Sequence, residues 1–262
     1  METSFSSSSW LDPIYPFFAN SSIAFKPTPL NGTWTKMECR IEGEARERRQ
    51  QVLDLHALDR WEEILNIYQS DMENQNTEIW DRGLLWLRPS ERSLQFIAEQ
   101  LQNLGLKKIL SIGCGSGLFE WLISRVTGLH VEGIEVDAKW WDSPYSPPCF
   151  LPKNLRHFVI PEKHSDEMIP KDVALLFCYF NDEGAYNDYL KRYLGNCIIV
   201  AGPAGVGDKF PPDHLLIGDS KELAKKGRHC NPKPFSVKEP WVLVKAMAVN
   251  TSPGDYIAVY TR

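Results

Sequence analysis

Three glycines follow a short apolar segment at a spacing that suits ligand binding. Residues 109–112 (ILSI) lead directly into residues 113–117 (GCGSG), and a helical pattern begins at Leu118. Glycine at a strand-to-helix turn permits positive φ angles and lets a ligand approach the backbone closely. The free N–H groups at the start of the helix favour polar or anionic ligand groups. The pattern therefore predicts a small-molecule site at this turn.

A carboxylate ends the next predicted strand. Glu135 follows Gly115 by twenty residues, where a carboxylate can accept hydrogen bonds from both hydroxyls of a ribose. The dinucleotide-binding pattern GxGxxG needs a glycine at position 118, which is occupied by Leu118. The glycines instead form the pattern GxGxG, which points away from the dinucleotide fingerprint.

The glycine turn and the acidic strand end closely resemble the first two motifs of class I S-adenosylmethionine (SAM)-dependent methyltransferases. The matching segments are residues 110–117 (LSIGCGSG) and 133–135 (GIE). The resemblance implies that the three glycines line the methionine part of SAM and that the acid holds the ribose. Together with adjoining residues, the cofactor site is then predicted to contain Ser111, Gly113, Cys114, Gly115, Gly117, Glu135, Val136 and Trp140.

Ser111 departs from the pattern of these methyltransferases. They commonly carry an acid two residues before the first glycine, and this chain has serine there. The departure is expected to affect either the affinity for SAM or the placement of its methionine amino group.

The residues that contact adenine are less well defined by the sequence. In the methyltransferases an acid or amide after the third strand supplies this contact, and Glu162 and Asp166 both qualify. Each could equally be a solvated loop carboxylate. Trp140 and Trp141 follow the ribose acid and could stack on adenine or shield it, because indole offers a large flat face. Their alternative role is core packing.

The resemblance places the methyl acceptor at the carboxyl end of the fourth strand, which is also where ligands bind in open α/β sheets. Tyr179, Asn181 and Asp182 are the polar residues there and are the predicted catalytic residues. They could instead cap the helix that follows, and capping is the favoured role for Asp182 because Asp and Asn prefer that position.

Two classes of methyltransferase and a metal site are disfavoured by the residues at this strand end and elsewhere. The segment 178–181 (CYFN) lacks the Pro-Pro pair of amino-methylating enzymes, and no proline precedes Cys178 as in base-C5 methylation. A buried structural cysteine is the favoured interpretation of Cys178. The histidines show no metal-ligand spacing, so no metal site is predicted.

The elements that position these residues alternate between helix and strand. Amphipathic helices are predicted over 42–74 and 89–105, and a buried strand over 108–112 precedes a helix over 118–126. Further strands are predicted over 130–135, 157–160, 173–177, 197–201, 241–249 and 255–260, with a helix over 181–193. The order predicts a doubly wound, mostly parallel seven-stranded sheet that ends in a closing antiparallel hairpin, preceded by an amino-terminal helical extension.

Three regions are predicted along the chain. Residues 1–36 form an irregular arm rich in Ser, Pro and aromatic residues, and residues 37–79 form the helical extension. Residues 80–262 form the SAM-binding domain. The arm is expected to dock its aromatic side chains on a surface, so the extension could bind a protein partner.

Composition restricts the class of partner and the compartment. The formal net charge of -5 disfavours a nucleic-acid partner without excluding it. The six cysteines form no CxxC pair, and no apolar stretch approaches the ~20 residues that span a bilayer. A cytoplasmic or nuclear protein with reduced cysteines and no membrane segment is therefore predicted.

These observations favour a SAM-dependent methyltransferase that transfers its methyl group by direct in-line displacement and releases S-adenosylhomocysteine (SAH). The acceptor is left open, with a protein or small molecule slightly favoured. The alternative is a non-catalytic SAM-binding regulatory or scaffold protein. A nicotinamide-dependent or other Rossmann-like enzyme is a third interpretation.

Overall fold

The computed structural model describes residues 36–73, 83–159, 167–203, 241–249 and 255–262. The arm predicted for residues 1–36 falls almost entirely outside these ranges. Glu162 and Asp166 lie outside them as well.

A seven-stranded sheet forms the centre of the molecule, with the order β3-β2-β1-β4-β5-β7-β6. Its strands are β1 Lys108–Ile112, β2 His130–Glu135, β3 Arg156–Phe158, β4 Val173–Cys178, β5 Cys197–Pro203, β6 Val242–Ala248 and β7 Asp255–Thr261. The first five strands are parallel, and β7 runs antiparallel to both β5 and β6. The predicted α/β fold with a closing antiparallel hairpin is confirmed.

The chain reverses its direction of travel across the sheet between β1 and β4. From β1 it continues outward to β2 and β3, and it then returns to add β4 and β5 on the other side of β1. In such sheets the connections leave the carboxyl ends of the two central strands in opposite directions, which opens a crevice there. This topology places the crevice directly above the glycine turn that follows β1.

Seven helices surround the sheet in the described residues. The α-helices are α1 Lys36–Ala57, α2 Trp61–Glu73, α3 Glu91–Asn103, α4 Leu118–Thr127, α5 Ala138–Trp141 and α6 Glu183–Arg192, and a 3-10 helix spans Lys153–Leu155. The helical pattern over 42–74 forms two helices separated at Asp59, which has a φ of 58°. Helix α3 begins later than predicted because Ser90 accepts a hydrogen bond from the Ser93 backbone as its N-cap.

The fully buried strand β4 shows why its sequence is continuously apolar. Ala174 and Leu176 contact a cluster that includes residues of α3 and α4, whereas Leu175 and Phe177 contact a second cluster that includes residues of α6. Successive side chains of a strand point to opposite faces, so a strand covered on both faces is apolar at every position. This packing holds the end of β4 rigidly beside the crevice.

The helical extension packs on the same core as the sheet. Val52 and Ile64 are fully buried in the cluster that also contains residues of α3 and α4. His56 Nε2 lies 3.1 Å from the carbonyl oxygen of Phe150, and its ring contacts the ring of Trp121. The division into an extension and a SAM-binding domain stays a prediction. No described helix is long and apolar enough to cross a membrane.

Candidate cofactor-binding site

A cleft opens at the carboxyl ends of β1, β2 and β4, at the reversal point of the sheet. Its walls come from the glycine turn, the ends of β2 and β4, residues 83–86 and α6. Of the predicted site residues, the cleft is lined by Gly113, Cys114, Gly115, Glu135, Val136, Tyr179, Asn181 and Asp182. Ser111, Gly117 and Trp140 are not among its lining residues.

The backbone conformation of the turn after β1 favours glycine where the turn borders the cleft. The backbone N–H groups of Gly113 and Cys114 both donate to the Ile134 carbonyl, which fixes the turn against β2. Gly115 has a φ of 57°, and a side chain there would meet no atom within 4 Å. The space beside Gly115 is therefore open for a ligand that approaches the backbone.

Gly117 has a structural role, because it lies at the start of α4 and not in the cleft wall. Its φ is 76°, and a Cβ atom at this position would lie 2.8 Å from Cγ of Leu151. Glycine is thus needed here both for the backbone conformation and for close packing.

Glu135 lies where β2 meets the glycine turn. Its Oε1 accepts a hydrogen bond of 2.8 Å from the Gly115 N–H, and its Oε2 accepts one of 3.2 Å from the Val136 N–H. Burial raises the pKa of Glu135, while these two hydrogen bonds and the nearby Arg156 act in the opposite direction. The Trp141 side chain is a further hydrogen-bond donor to Glu135. A carboxylate offers about four acceptor positions, so acceptor capacity remains for a ligand hydroxyl.

Of the two tryptophans considered from the sequence, Trp141 borders the cleft. The guanidinium carbon of Arg156 lies 4.1 Å from the centre of the Trp141 ring, and its Nη2 donates to the Gly115 carbonyl. Trp140 is half-buried and is not among the residues that line the cleft. The sequence could not distinguish the two because the bounds of this four-residue helix fix which ring faces the cleft.

Ser111 is fully buried beneath the cleft and contacts an acid that the sequence analysis did not identify. Its hydroxyl donates a hydrogen bond of 2.6 Å to Oε1 of Glu120, which lies in the first turn of α4. Glu120 is only 2% exposed, yet it lines the cleft. Burial raises the pKa of Glu120 to about 7. A single acid among the apolar residues of 118–123 was the signal that could have identified it.

Tyr179 follows β4 directly and has an unusual backbone conformation. Its φ of 50° is uncommon for a residue with a large side chain, and such conformations often occur at functional sites. Its hydroxyl donates a hydrogen bond of 2.6 Å to Oδ1 of Asp255 at the start of β7. Burial raises the pKa of Asp255, while this hydrogen bond and Arg88 act in the opposite direction. Sequence reasoning did not identify Asp255.

Asp182 caps the helix that follows β4. Its Oδ1 accepts a hydrogen bond of 2.9 Å from the Ala185 N–H, and it is the N-cap residue of α6. Asn181, immediately before it, lines the cleft without occupying the cap position. A catalytic contribution of Tyr179, Asn181 or Asp182 stays a prediction.

Cys178 borders the cleft. Burial raises its pKa well above the ordinary value, and the nearby carboxylates of Glu120 and Asp255 raise it further. A thiolate nucleophile is therefore disfavoured here, in agreement with the interpretation of Cys178 as structural. Within the described ranges, no group of three or more His, Cys, Asp or Glu side chains is arranged to hold a metal ion.

The strand order, the glycine turn after β1 and the acid at the end of β2 form the arrangement that the sequence resemblance implied. The chain has the fold of class I SAM-dependent methyltransferases. No family profile and no curated protein matches the sequence.

Solved structures that resemble the chain include several methyltransferases, all at low identity. The methyltransferase domain of bacterial CtHen1 is 14% identical, with a TM-score of 0.37 over 66% of this chain and 98% of that domain. The O-methyltransferase from Bacillus cereus, in complex with SAH, is 13% identical, with a TM-score of 0.42 over 77% of this chain and 90% of that one. Because these identities and TM-scores are low, the fold assignment rests on the strand order and the closing hairpin of the chain itself.

Proposed function

We propose that the chain binds SAM in the cleft and transfers its methyl group to an acceptor. The observation that carries this proposal is the position of Glu135, whose carboxylate is bonded to the Gly115 N–H at the cleft. A glycine turn and a ribose-binding acid thus meet at the reversal point of the sheet. Polar residues from the end of β4 border the same cleft, where an acceptor would have to approach.

The cleft residues suit the separate parts of SAM. Gly113 and Gly115 leave the backbone accessible to the methionine part, and Glu135 has acceptor capacity for a ribose hydroxyl. Val136 and Trp141 border the cleft beyond Glu135 with apolar surface that suits the flat face of adenine.

Methyl transfer by in-line displacement needs few specialised groups from the protein. SAM supplies the activated methyl group, and the protein contributes proximity, orientation and a local electrostatic environment. Strands β2 and β4 flank β1 on opposite sides. Asn181 and Tyr179 therefore border the cleft from the side opposite Glu135, where they would orient the acceptor. The net charge of -5 favours a protein or small-molecule acceptor over nucleic acid.

Two observations favour a second candidate function, a non-catalytic SAM-binding protein. The Tyr179 hydroxyl is already bonded to Asp255, and the Asp182 side chain already caps α6. Two of the three predicted catalytic side chains therefore have structural partners. A protein of this kind would use SAM occupancy to control another interaction.

Titration calorimetry of the full chain with SAM, SAH and NAD tests whether the cleft binds SAM. The proposal expects saturable binding of SAM and SAH and none of NAD. Binding of NAD alone would support a nicotinamide-dependent enzyme and overturn the proposal.

A second measurement separates the enzyme from the non-catalytic binder. The protein is incubated with methyl-labelled SAM and candidate acceptors grouped as alcohols, amines, thiols and peptides. SAH formation above that of the unsupplemented protein supports transfer. Tight SAM binding with quantitative recovery of unchanged SAM across all groups supports the regulatory alternative.

A further inference from the structure

Glu120 is a buried carboxylate with unused hydrogen-bonding capacity at the cleft. Its Oε1 accepts the hydrogen bond from Ser111, whereas its Oε2 is buried and has no hydrogen-bond partner among the described residues. The residue borders the cleft together with Gly113 and Cys114. Burying a carboxylate oxygen without a partner is costly, so a donor supplied by a ligand would stabilise it.

The position of Glu120 also compensates for the missing acid in β1. Ser111 occupies the position where the resembling enzymes carry a carboxylate, and its hydroxyl is bonded to Glu120 instead. The Glu120 carboxylate from the first turn of α4 thus lies within hydrogen-bonding distance of the Ser111 side chain, which orients it.

We propose that Glu120 binds the α-ammonium group of the methionine part of SAM or SAH through its Oε2 atom. The inference rests on the proposed binding of SAM in the cleft. A charge-assisted hydrogen bond from an ammonium would satisfy the unpaired oxygen, and such bonds are roughly twice as strong as those between neutral groups.

The charged and titratable groups near Glu120 come from each element packed against it. Glu135 from β2 is repulsive and Arg156 from β3 is attractive. Burial raises the pKa of the Cys114 thiol in the glycine turn and of the Cys178 thiol at the end of β4, and Glu120 raises both further. Arg156 donates to the Gly115 carbonyl and forms no hydrogen bond with Glu120, so Oε2 of Glu120 remains available to a ligand ammonium.

The test compares SAH with its deamino analogue, in which hydrogen replaces the α-amino group. Affinities are measured by calorimetry, directly or by displacement of SAH, for the wild-type protein and Glu120→Gln. Glu99→Gln on the exposed side of α3 is the matched control, because it removes one negative charge away from the cleft. Circular dichroism checks that each variant is folded.

For the wild-type protein, loss of the amino group should weaken binding roughly 10- to 100-fold. Glu120→Gln should bind SAH more weakly by a similar factor and should discriminate little between SAH and the deamino analogue. Glu99→Gln should behave as the wild type. Equal losses for both ligands in Glu120→Gln would show a purely structural role and overturn the inference while leaving SAM binding intact.

The pH dependence of the wild-type protein gives a test that needs no substitution. Glu120 must be ionised to bind an ammonium, and its pKa in the free protein is raised to about 7. Affinity for SAH should therefore rise between about pH 6 and pH 8 relative to that for the deamino analogue. A ratio that does not change with pH would contradict the inference. Failure of the wild type to bind SAH at any pH would instead contradict the proposed function.

Discussion

The backbone N–H of Gly115 donates a hydrogen bond of 2.8 Å to Oε1 of Glu135. This contact joins the turn after β1 to the end of β2, so the two motifs recognised in the sequence form one unit at the cleft. The carboxylate is held in place before any ligand arrives. Such preorganisation lowers the entropic cost of binding.

Replacement of Glu135 should remove the proposed ribose acceptor. Glu135→Ala is expected to weaken SAH binding roughly 10- to 100-fold, because hydrogen bonds to a charged acceptor are lost. Glu132→Ala is the matched control, since Glu132 lies on the same strand but is bonded to the exposed His130 and His157. Comparable SAH affinities for the two variants in calorimetry would argue against a ribose contact.

A large side chain at Gly115 should block the cleft. The position next to Gly115 is open, so Gly115→Arg is expected to abolish SAH binding by filling the space that the ligand needs. Gly115→Ala is the graded comparison, because it adds one methyl group to this space together with the strain of a positive φ, about 1 kcal/mol, and should weaken SAH binding less. SAH binding by Gly115→Arg with wild-type affinity would place the ligand elsewhere.

Asp182→Ala should destabilise the protein through the loss of a helix cap. The Ala185 N–H would lose its acceptor, and the free energy of unfolding is expected to fall by about 1 kcal/mol. Asp188→Ala in the same helix is the control, because the Asp188 side chain forms an exposed ion pair with Lys191 and caps no helix. Urea denaturation measures both variants. No difference between them would mean that the cap contributes nothing measurable.

Tyr179→Phe should destabilise the protein in a manner that depends on pH. The variant leaves the Asp255 carboxyl, whose pKa is already raised above 3.8 by burial, without its donor. Because the ionised form is the one left unsatisfied, the loss should be about 1 to 3 kcal/mol at pH 7 and should shrink as the pH falls towards 4. Thermal denaturation across this range checks the trend. Asp255→Asn as a background should abolish the pH dependence.

Sequence patterns were sufficient to predict the fold, because each strand, helix and turn depends largely on the types of residues that are close together in the sequence. The buried strand 108–112, the glycine turn and the later apolar strands each satisfy rules that involve only neighbouring residues. The antiparallel hairpin followed from the short connection between its strands. Helix bounds were less certain, because caps such as that at Ser90 depend on side-chain hydrogen bonds.

Parts of the site depend on contacts between residues far apart in sequence. The bond between Tyr179 and Asp255 spans 76 residues, so no local pattern indicates it. Glu120 was missed for a different reason. A first-turn acid is usually solvated, and only the packing of α4 on the sheet shows that this one is buried against Ser111.

A crystal structure of the full chain with SAH tests the central claim most directly. The account predicts SAH in the cleft, with a ribose hydroxyl within hydrogen-bonding distance of Glu135 and the methionine part against Gly113 and Gly115. SAH bound outside this cleft, or a ribose that does not contact Glu135, would contradict it.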